Sequence, residues 1–151
     1  MLYFYLTYLL IYTMTPLHNH SKKSRILIIE DSAAIQKLTK EVLTFHKDYE
    51  VVFARNGKIG LDLIKESDPF DIILVDIDMP VMSGEQCINA IRSLKDSVKA
   101  NVPVIVCTGN AKEYTKQDFS DMGFSDSFIK PIDYQGLIKK IIPMLEQRGS
   151  K

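Results

Sequence analysis

Phe70-Asp71-Ile72-Ile73-Leu74-Val75-Asp76-Ile77-Asp78-Met79-Pro80 is the stretch whose reading decides the fold. Ile72 to Val75 is an unbroken apolar run, which suits a strand buried on both faces of a parallel sheet. The run ends on Asp76, Pro80 stops it, and Ser83-Gly84 reads as a turn into a helix. A carboxylate at the carboxyl end of a central parallel strand lies where open α/β sheets bind ligands.

Upstream of it, Arg25 to Ile29 is a second apolar strand, ending on Glu30-Asp31. Ser32 is placed to cap a helix whose apolar face reads Ile35, Leu38, Val42 and Phe45. Glu50 to Ala54 is a short strand and Asn56-Gly57 a turn. Leu61 and Ile64 mark a helix that closes before Asp68-Pro69. Downstream, Cys87, Ile88, Ile91 and Leu94 give a third helix. Val102 to Cys107 is a buried strand with Pro103 near its start. Ala111 to Met122 reads as a polar helix ended by Gly123. Ser127 to Ile129 is the last strand, and a last helix begins near Asp133 with Leu137, Ile138 and Ile141 inward. Pro143 should kink or end that helix near Ile142.

Five strands thus alternate with five helices. The common solution is a doubly wound parallel sheet with right-handed crossovers. A chain of 151 residues fits one such domain. Its 19 basic and 19 acidic residues cancel, so no net field draws it to nucleic acid, and beyond Lys22-Lys23 and Arg25 no basic cluster appears. Cys87 and Cys107 sit in apolar surroundings and read as buried thiols of a reducing compartment. So few Cys and His argue against zinc.

Met1 to Met14 is Leu/Tyr/Ile-rich and uncharged. It is shorter than the roughly 20 residues of a spanning helix. It also lacks the basic start of a secretory signal. Residues 1–23 are therefore expected to be a leader, flexible or ahead of the true start, with membrane contact by residues 1–14 not expected. The domain spans 24–147, and 148–151 form a tail.

Four strands end on polar groups: Glu30-Asp31, Asp76, Thr108 and Lys130. All strand ends of a parallel sheet open on one edge, so these groups can converge. Gathered carboxylates repel unless a cation is present, and hard oxygen ligands select Mg²⁺. Lys130 adds a positive charge and Thr108 a hydroxyl. Together they suit an anion held on a carboxylate, as phosphoryl transfer requires. Each residue also has a plainer reading: Asp76 and Glu30-Asp31 as turn or cap residues, Lys130 as a solvated surface lysine, Thr108 as a strand-end Thr.

In order and spacing, Glu30-Asp31, Asp76, Met79-Pro80, Gly84, Thr108 and Lys130-Pro131 resemble the receiver domain of two-component response regulators, the CheY-like superfamily. The resemblance implies a flavodoxin-like sheet of order 2-1-3-4-5. It implies that Asp76 accepts a phosphoryl group from a phosphohistidine on a histidine kinase or histidine phosphotransfer protein. It implies Mg²⁺ held by Asp31 and Asp76, with Glu30 through water and the backbone carbonyl of Asp78. Lys130 would pair with a phosphoryl oxygen and Thr108 with another, while Gly109 leaves room for the group. A stand-alone receiver is the expectation, since only eight residues follow Pro143; it is expected to be cytoplasmic, to signal to a downstream protein target and to be a signalling domain without turnover.

Two features depart from the family's pattern. The position three residues before Lys130, often Tyr or Phe in relatives, is Ser127, and strand alternation turns Phe128 to the opposite face. Pro143 falls inside the last helix. Two other readings compete. Asp76-Ile77-Asp78 resembles the nucleophile motif of haloacid-dehalogenase-type phosphatases, although that family puts it on the first strand with acidic ligands downstream. A pseudo-receiver would bind partners without ever carrying phosphate.

Overall fold

The computed structural model describes residues 23–47, 49–110 and 112–149. The apolar run Met1 to Met14, and with it most of the expected leader, lies outside the described residues, as does the end of the tail. Five parallel strands, β1 (Arg25–Ile29), β2 (Glu50–Ala54), β3 (Ile72–Asp76), β4 (Val104–Thr108) and β5 (Asp126–Ile129), form one sheet in the order 2-1-3-4-5. Among the described residues six helices accompany them: α1 (Ala33–His46), α2 (Gly57–Glu66), α3 (Gly84–Arg92), α4 (Ser97–Ala100), α5 (Lys116–Asp121) and α6 (Tyr134–Gly149). Among the described residues no helix is long and apolar enough to cross a membrane.

Strand alternation sorts the apolar residues into two cores. Leu27, Ile29, Ile73, Val75, Val104 and Val106 pack with Ile88, Ile91 and Phe119, under α2, α3 and α5. Ile26, Ile28, Ile72, Leu74 and Ile105 pack with Leu43, Leu137 and Ile141, under α1 and α6. Burial on both faces is why the β3 run carries no polar residue until Asp76. The parallel register sets Asp76 opposite Cys107 and Thr108 opposite Ile129, so the polar strand ends share one edge.

Several local expectations are corrected. Of the expected α1 stripe Ile35, Leu38, Val42 and Phe45, Val42 packs on the core and Ile35 is half-buried, but Leu38 and Phe45 are not part of the buried face. Thr39 and Leu43 are the buried residues there, whereas Leu38 is 48 % and Phe45 87 % exposed. Two stripes overlap on this helix, and a polar Thr inside the buried one masked it. Asn56-Gly57 is no free turn: the Asn56 side chain accepts from the Ile59 amide at 2.9 Å and caps α2. The polar helix begins at Lys116 rather than Ala111, because Thr115 and Asp118 form a reciprocal capping box there. Helix α4 was not expected, since a single turn capped by Asp96 is too short to show periodicity.

Pro143 neither ends nor divides α6, which runs on to Gly149. Pro143 is exposed, while Ile141 and Leu145 on either side are buried at 0 % and 3 %. The missing amide therefore falls on the solvent side, where water can serve the unpaired carbonyl, and the core holds both halves.

Arg92, at the end of α3, ties three segments together. Its Nη1 donates to the carbonyls of Ala100 at 2.6 Å and Val102 at 2.9 Å. Its Nε and Nη2 donate to the Gly123 carbonyl at 3.0 and 2.8 Å. Gly123 adopts a φ of 97°, a conformation that favours glycine. Burial lowers the Arg92 pKa, yet the guanidinium stays charged at neutral pH. Replacing Arg92 by Ala would strand three carbonyls of two connections. Arg92→Ala should cost about 2–4 kcal/mol in urea unfolding, given hydrogen bonds to charged groups of about 1.5–3 kcal/mol each. A midpoint unchanged from the parent would show that water serves those carbonyls equally well.

Candidate phosphoryl-transfer site

Every strand that ends on the expected polar group delivers it to one place. Glu30 follows β1, Asp76 closes β3, Thr108 closes β4 and Lys130 follows β5. Glu30, Asp76 and Thr108 are 4 %, 6 % and 1 % exposed, and with Thr39 they are the buried polar residues of the described chain. Three of those four lie at one sheet edge, and an apolar core does not bury such groups by default.

The Lys130 ammonium joins them. Its Nζ donates to Glu30 Oε2 and to Asp76 Oδ2, each at 2.8 Å. Burial works against the lysine's charge, but hydrogen bonds to Asp76 and then Glu30 outweigh it, so its pKa lies above the ordinary value. For Glu30, burial raises the pKa, and the bonds from Lys130 and from the Ser32 amide only partly counter this. Asp76 Oδ1 accepts from the Asp78 amide at 3.1 Å, so both its oxygens are engaged. The Lys130-Pro131 peptide is cis.

Asp31 is exposed beside this cluster. Glu30, Asp31 and Asp76 can each present an oxygen such that all three lie within 4.8 Å of one another. An all-carboxylate set with one member open to solvent fits Mg²⁺, which prefers oxygen and keeps several waters. Asp78 lies two residues beyond Asp76, exposed, with its amide turned to that carboxylate.

Local structure fixes these positions. The Ser32 side chain caps α1 through the Ile35 amide at 3.4 Å. The Ser32 amide donates to Glu30 Oε1 at 3.0 Å, so the carboxylate is aimed by the turn that starts the helix. Gln36 Nε2 donates to the Glu30 carbonyl at 2.6 Å, a contact that no spacing in the sequence announces. After β3 the chain doubles back through Val81, at φ 72°, to Ser83, whose side chain and Gln86 form a capping box on α3. At Gly84 an added Cβ would sit 2.6 Å from the Asp76 carbonyl oxygen and 2.8 Å from Ile77 Cα, so only glycine fits.

The Thr108 hydroxyl accepts from the Asn110 amide at 3.0 Å. A Cβ added at Gly109 would meet nothing within 4 Å, so this loop borders open space. Ser127 stands opposite Val106 in the register and therefore on the face of Thr108, whereas Phe128 packs into the α1–α6 core. The position three residues before Lys130 is thus a small side chain.

Against known proteins, residues 26–142 match the response regulator receiver domain family. The chain belongs to that family. It is 30 % identical over 128 residues to the response regulator ArlR of Staphylococcus epidermidis, covering 85 % of this chain and 55 % of that protein. It is 32 % identical over 134 residues to hybrid signal transduction histidine kinase I of Dictyostelium discoideum, covering 83 % of this chain but 8 % of that one. The chain therefore spans about half or less of the length of these relatives. Among solved structures, the CheY-like receiver domain protein of Methanospirillum hungatei superposes with a TM-score of 0.73 at 29 % identity, covering 85 % of this chain and 98 % of that one. Receiver domains are signalling modules of two-component systems, and they interact with histidine kinases or phosphotransfer proteins.

Cys107 lies beside Asp76 in the receiver's register and is 4 % exposed. Burial pushes its thiol up to about 12, and that of Cys87 to about 11. The thiolate is the reactive form, so at pH 8 Cys107 should be ionised on the order of one part in ten thousand. A disulfide reagent at that pH should leave both thiols of the native protein unmodified and titrate both in denaturant. Rapid reaction of Cys107 in the native state would show that the sheet edge opens wide enough to expose it.

Proposed function

We propose that this receiver takes a phosphoryl group from a phosphohistidine, on a histidine kinase or histidine phosphotransfer protein, onto Asp76 in a Mg²⁺-dependent reaction. The phosphorylated form then signals through altered protein contacts in a phosphorelay. The reading rests on one observation above the others: the Lys130 ammonium lies 2.8 Å from both Glu30 and Asp76 at an edge where two of the three acids are buried.

The chemistry follows from the residues. An Asp76 oxygen attacks phosphorus, an O–P bond forms, and the N–P bond to the donor imidazole breaks. Charge spreads over the three transferring oxygens, so the protein's task is to position the group and offset that charge. Lys130 can leave Glu30 to meet one oxygen. Thr108 can exchange its bond from the Asn110 amide for a second oxygen, over the space beside Gly109. Mg²⁺, held by Asp31 and Asp76 with Glu30 nearby and the Asp78 carbonyl as a further oxygen, would supply the remaining positive charge. The proposal concerns the receiver's own chemistry and holds for the chain alone or joined to other domains.

With Mg²⁺ and acetyl phosphate the protein should gain one acid-stable, base-labile phosphoryl group. Asp76→Asn keeps the shape without the nucleophile and should take none; full labelling of that variant would refute the assignment. Asp31→Ala removes a direct ligand and should weaken Mg²⁺ binding at least tenfold, about 1.4 kcal/mol. Unchanged metal affinity would count against that role.

Switching is proposed to run through Thr108 without an aromatic partner at Ser127. A phosphoryl group brings about two negative charges, and Thr108 answers one of its oxygens by drawing in the loop that follows. Ser127 is too small to fill the space that move vacates, so the two states should differ modestly in energy. A partner's preference for the phosphorylated form is expected near tenfold, or about 1.4 kcal/mol of coupling. Thr108→Ala should abolish the preference while Asp76 still labels, and Ser127→Tyr should enlarge it. Partner affinity with and without phosphate decides; a full ratio in Thr108→Ala would mean the phosphate is read by another route.

A further inference from the structure

Thr39 is the one buried polar residue of the described chain that the site chemistry does not use. Its hydroxyl lies 3.1 Å from the Tyr134 hydroxyl, ninety-five positions along the chain. Thr39 sits in the middle of α1, and Tyr134 is the first residue of α6. These two helices begin just after the groups that matter: α1 follows Glu30, Asp31 and Ser32, and three residues separate Lys130 from α6. Thr39 and Ile132 also line a cavity of about 10 Å³ whose other walls include Glu30, Asp76 and Cys107.

We propose that the Thr39–Tyr134 hydrogen bond is a positioning element for Asp76 phosphorylation: it pins the first turn of α6 to α1 and so fixes the Lys130 ammonium relative to the Glu30–Asp31 pair. The inference rests on the reading of Asp76 as phosphoacceptor. The physical case is one of lever length. Lys130 reaches the acids from a segment that belongs to neither the strand nor the helix; Lys130 is half-buried and Pro131 after it is exposed. The Leu137 amide bonds back to the Asp133 carbonyl and the Gln135 amide to Asp133 Oδ1, which order the turn internally. Neither bond anchors the turn to α1. Ile132 packs on the core, but apolar contact is not directional. The Tyr134 hydroxyl supplies the direction. A misplacement of a charged group by a fraction of an ångström weakens its action on a transferring group, because pre-organisation is what such a site contributes.

The test separates positioning from packing. Tyr134→Phe leaves the buried Thr39 hydroxyl without this partner, and Thr39→Val leaves the half-buried Tyr134 hydroxyl without its own; the double variant removes both with little change of shape, which is nearly neutral for stability. Labelling by acetyl phosphate in saturating Mg²⁺ should fall about fivefold in each single variant, or near 1 kcal/mol of transition-state stabilisation. The Mg²⁺ concentration for half-maximal rate should stay unchanged. The double variant should regain the parent's melting temperature yet label as slowly as the singles, and Thr39→Ser, which keeps the hydroxyl, should label like the parent. If Tyr134→Phe labels at the parent rate, or if the double variant recovers rate along with stability, the pair is packing only and the proposal is overturned. Amide exchange at Ile132, Asp133 and Tyr134, measured without phosphodonor, gives a second decision: faster exchange confined to that turn in Tyr134→Phe supports pinning, and unchanged exchange overturns it. Should the parent protein itself fail to label, the reading of Asp76 falls, and the exchange result alone judges the pin.

Discussion

The protein's site depends on one ammonium group placed between two carboxylates. Glu30 and Asp76 are nearly buried, and two such charges brought together repel strongly where water is scarce. Lys130, 2.8 Å from each, makes their approach tolerable. The raised pKa of Glu30 shows that the balance is incomplete, since its burial is not fully offset. Asp31 stands exposed at the open side, so three carboxylates and one ammonium meet at this edge, a group that could hold a metal ion.

The fold supplies the convergence at little cost. Parallel strands all end at the same edge, and four of five carry their polar residue just where the apolar run stops. Helix starts then aim the side chains: Ser32 turns Glu30 inward, and the capping box at Ser83 sets the return of the chain past Asp76. Gly84 lies so close to the Asp76 carbonyl that strand end and helix start form one unit. Structural and chemical roles here fall on adjacent residues rather than on the same ones.

Much of this was legible in the sequence, for identifiable reasons. The strands could be read because runs such as Ile72 to Val75 are buried on both faces and tolerate no polar residue. The polar groups Glu30, Asp76 and Thr108 stood out because each ends such a run, whereas Lys130 follows the half-buried strand Asp126–Ile129 and stood out only through the family's spacing. The helices were harder. On α1 the buried stripe contains Thr39, so hydropathy pointed to Leu38 and Phe45 instead. At α5 a capping box four residues late outweighed a polar stretch that looked continuous. At Pro143 the rule that proline breaks helices lost to burial on both sides of it. The contacts of Gln36 and Tyr134 were invisible because they join segments that no periodicity links.

The three carbonyls gathered by Arg92 have a mechanical consequence. They belong to the end of α4, the approach to β4 and the Gly123 turn that closes α5. That end of α5 is thereby riveted to α3, on the side of the sheet away from the reacting edge. Its other end hangs from the Thr115 cap, downstream of Thr108. Under the proposed switch, a pull on Thr108 would act on a short beam held at Gly123. Such a beam would tilt rather than slide, with the displacement greatest near Lys116 and least near Met122.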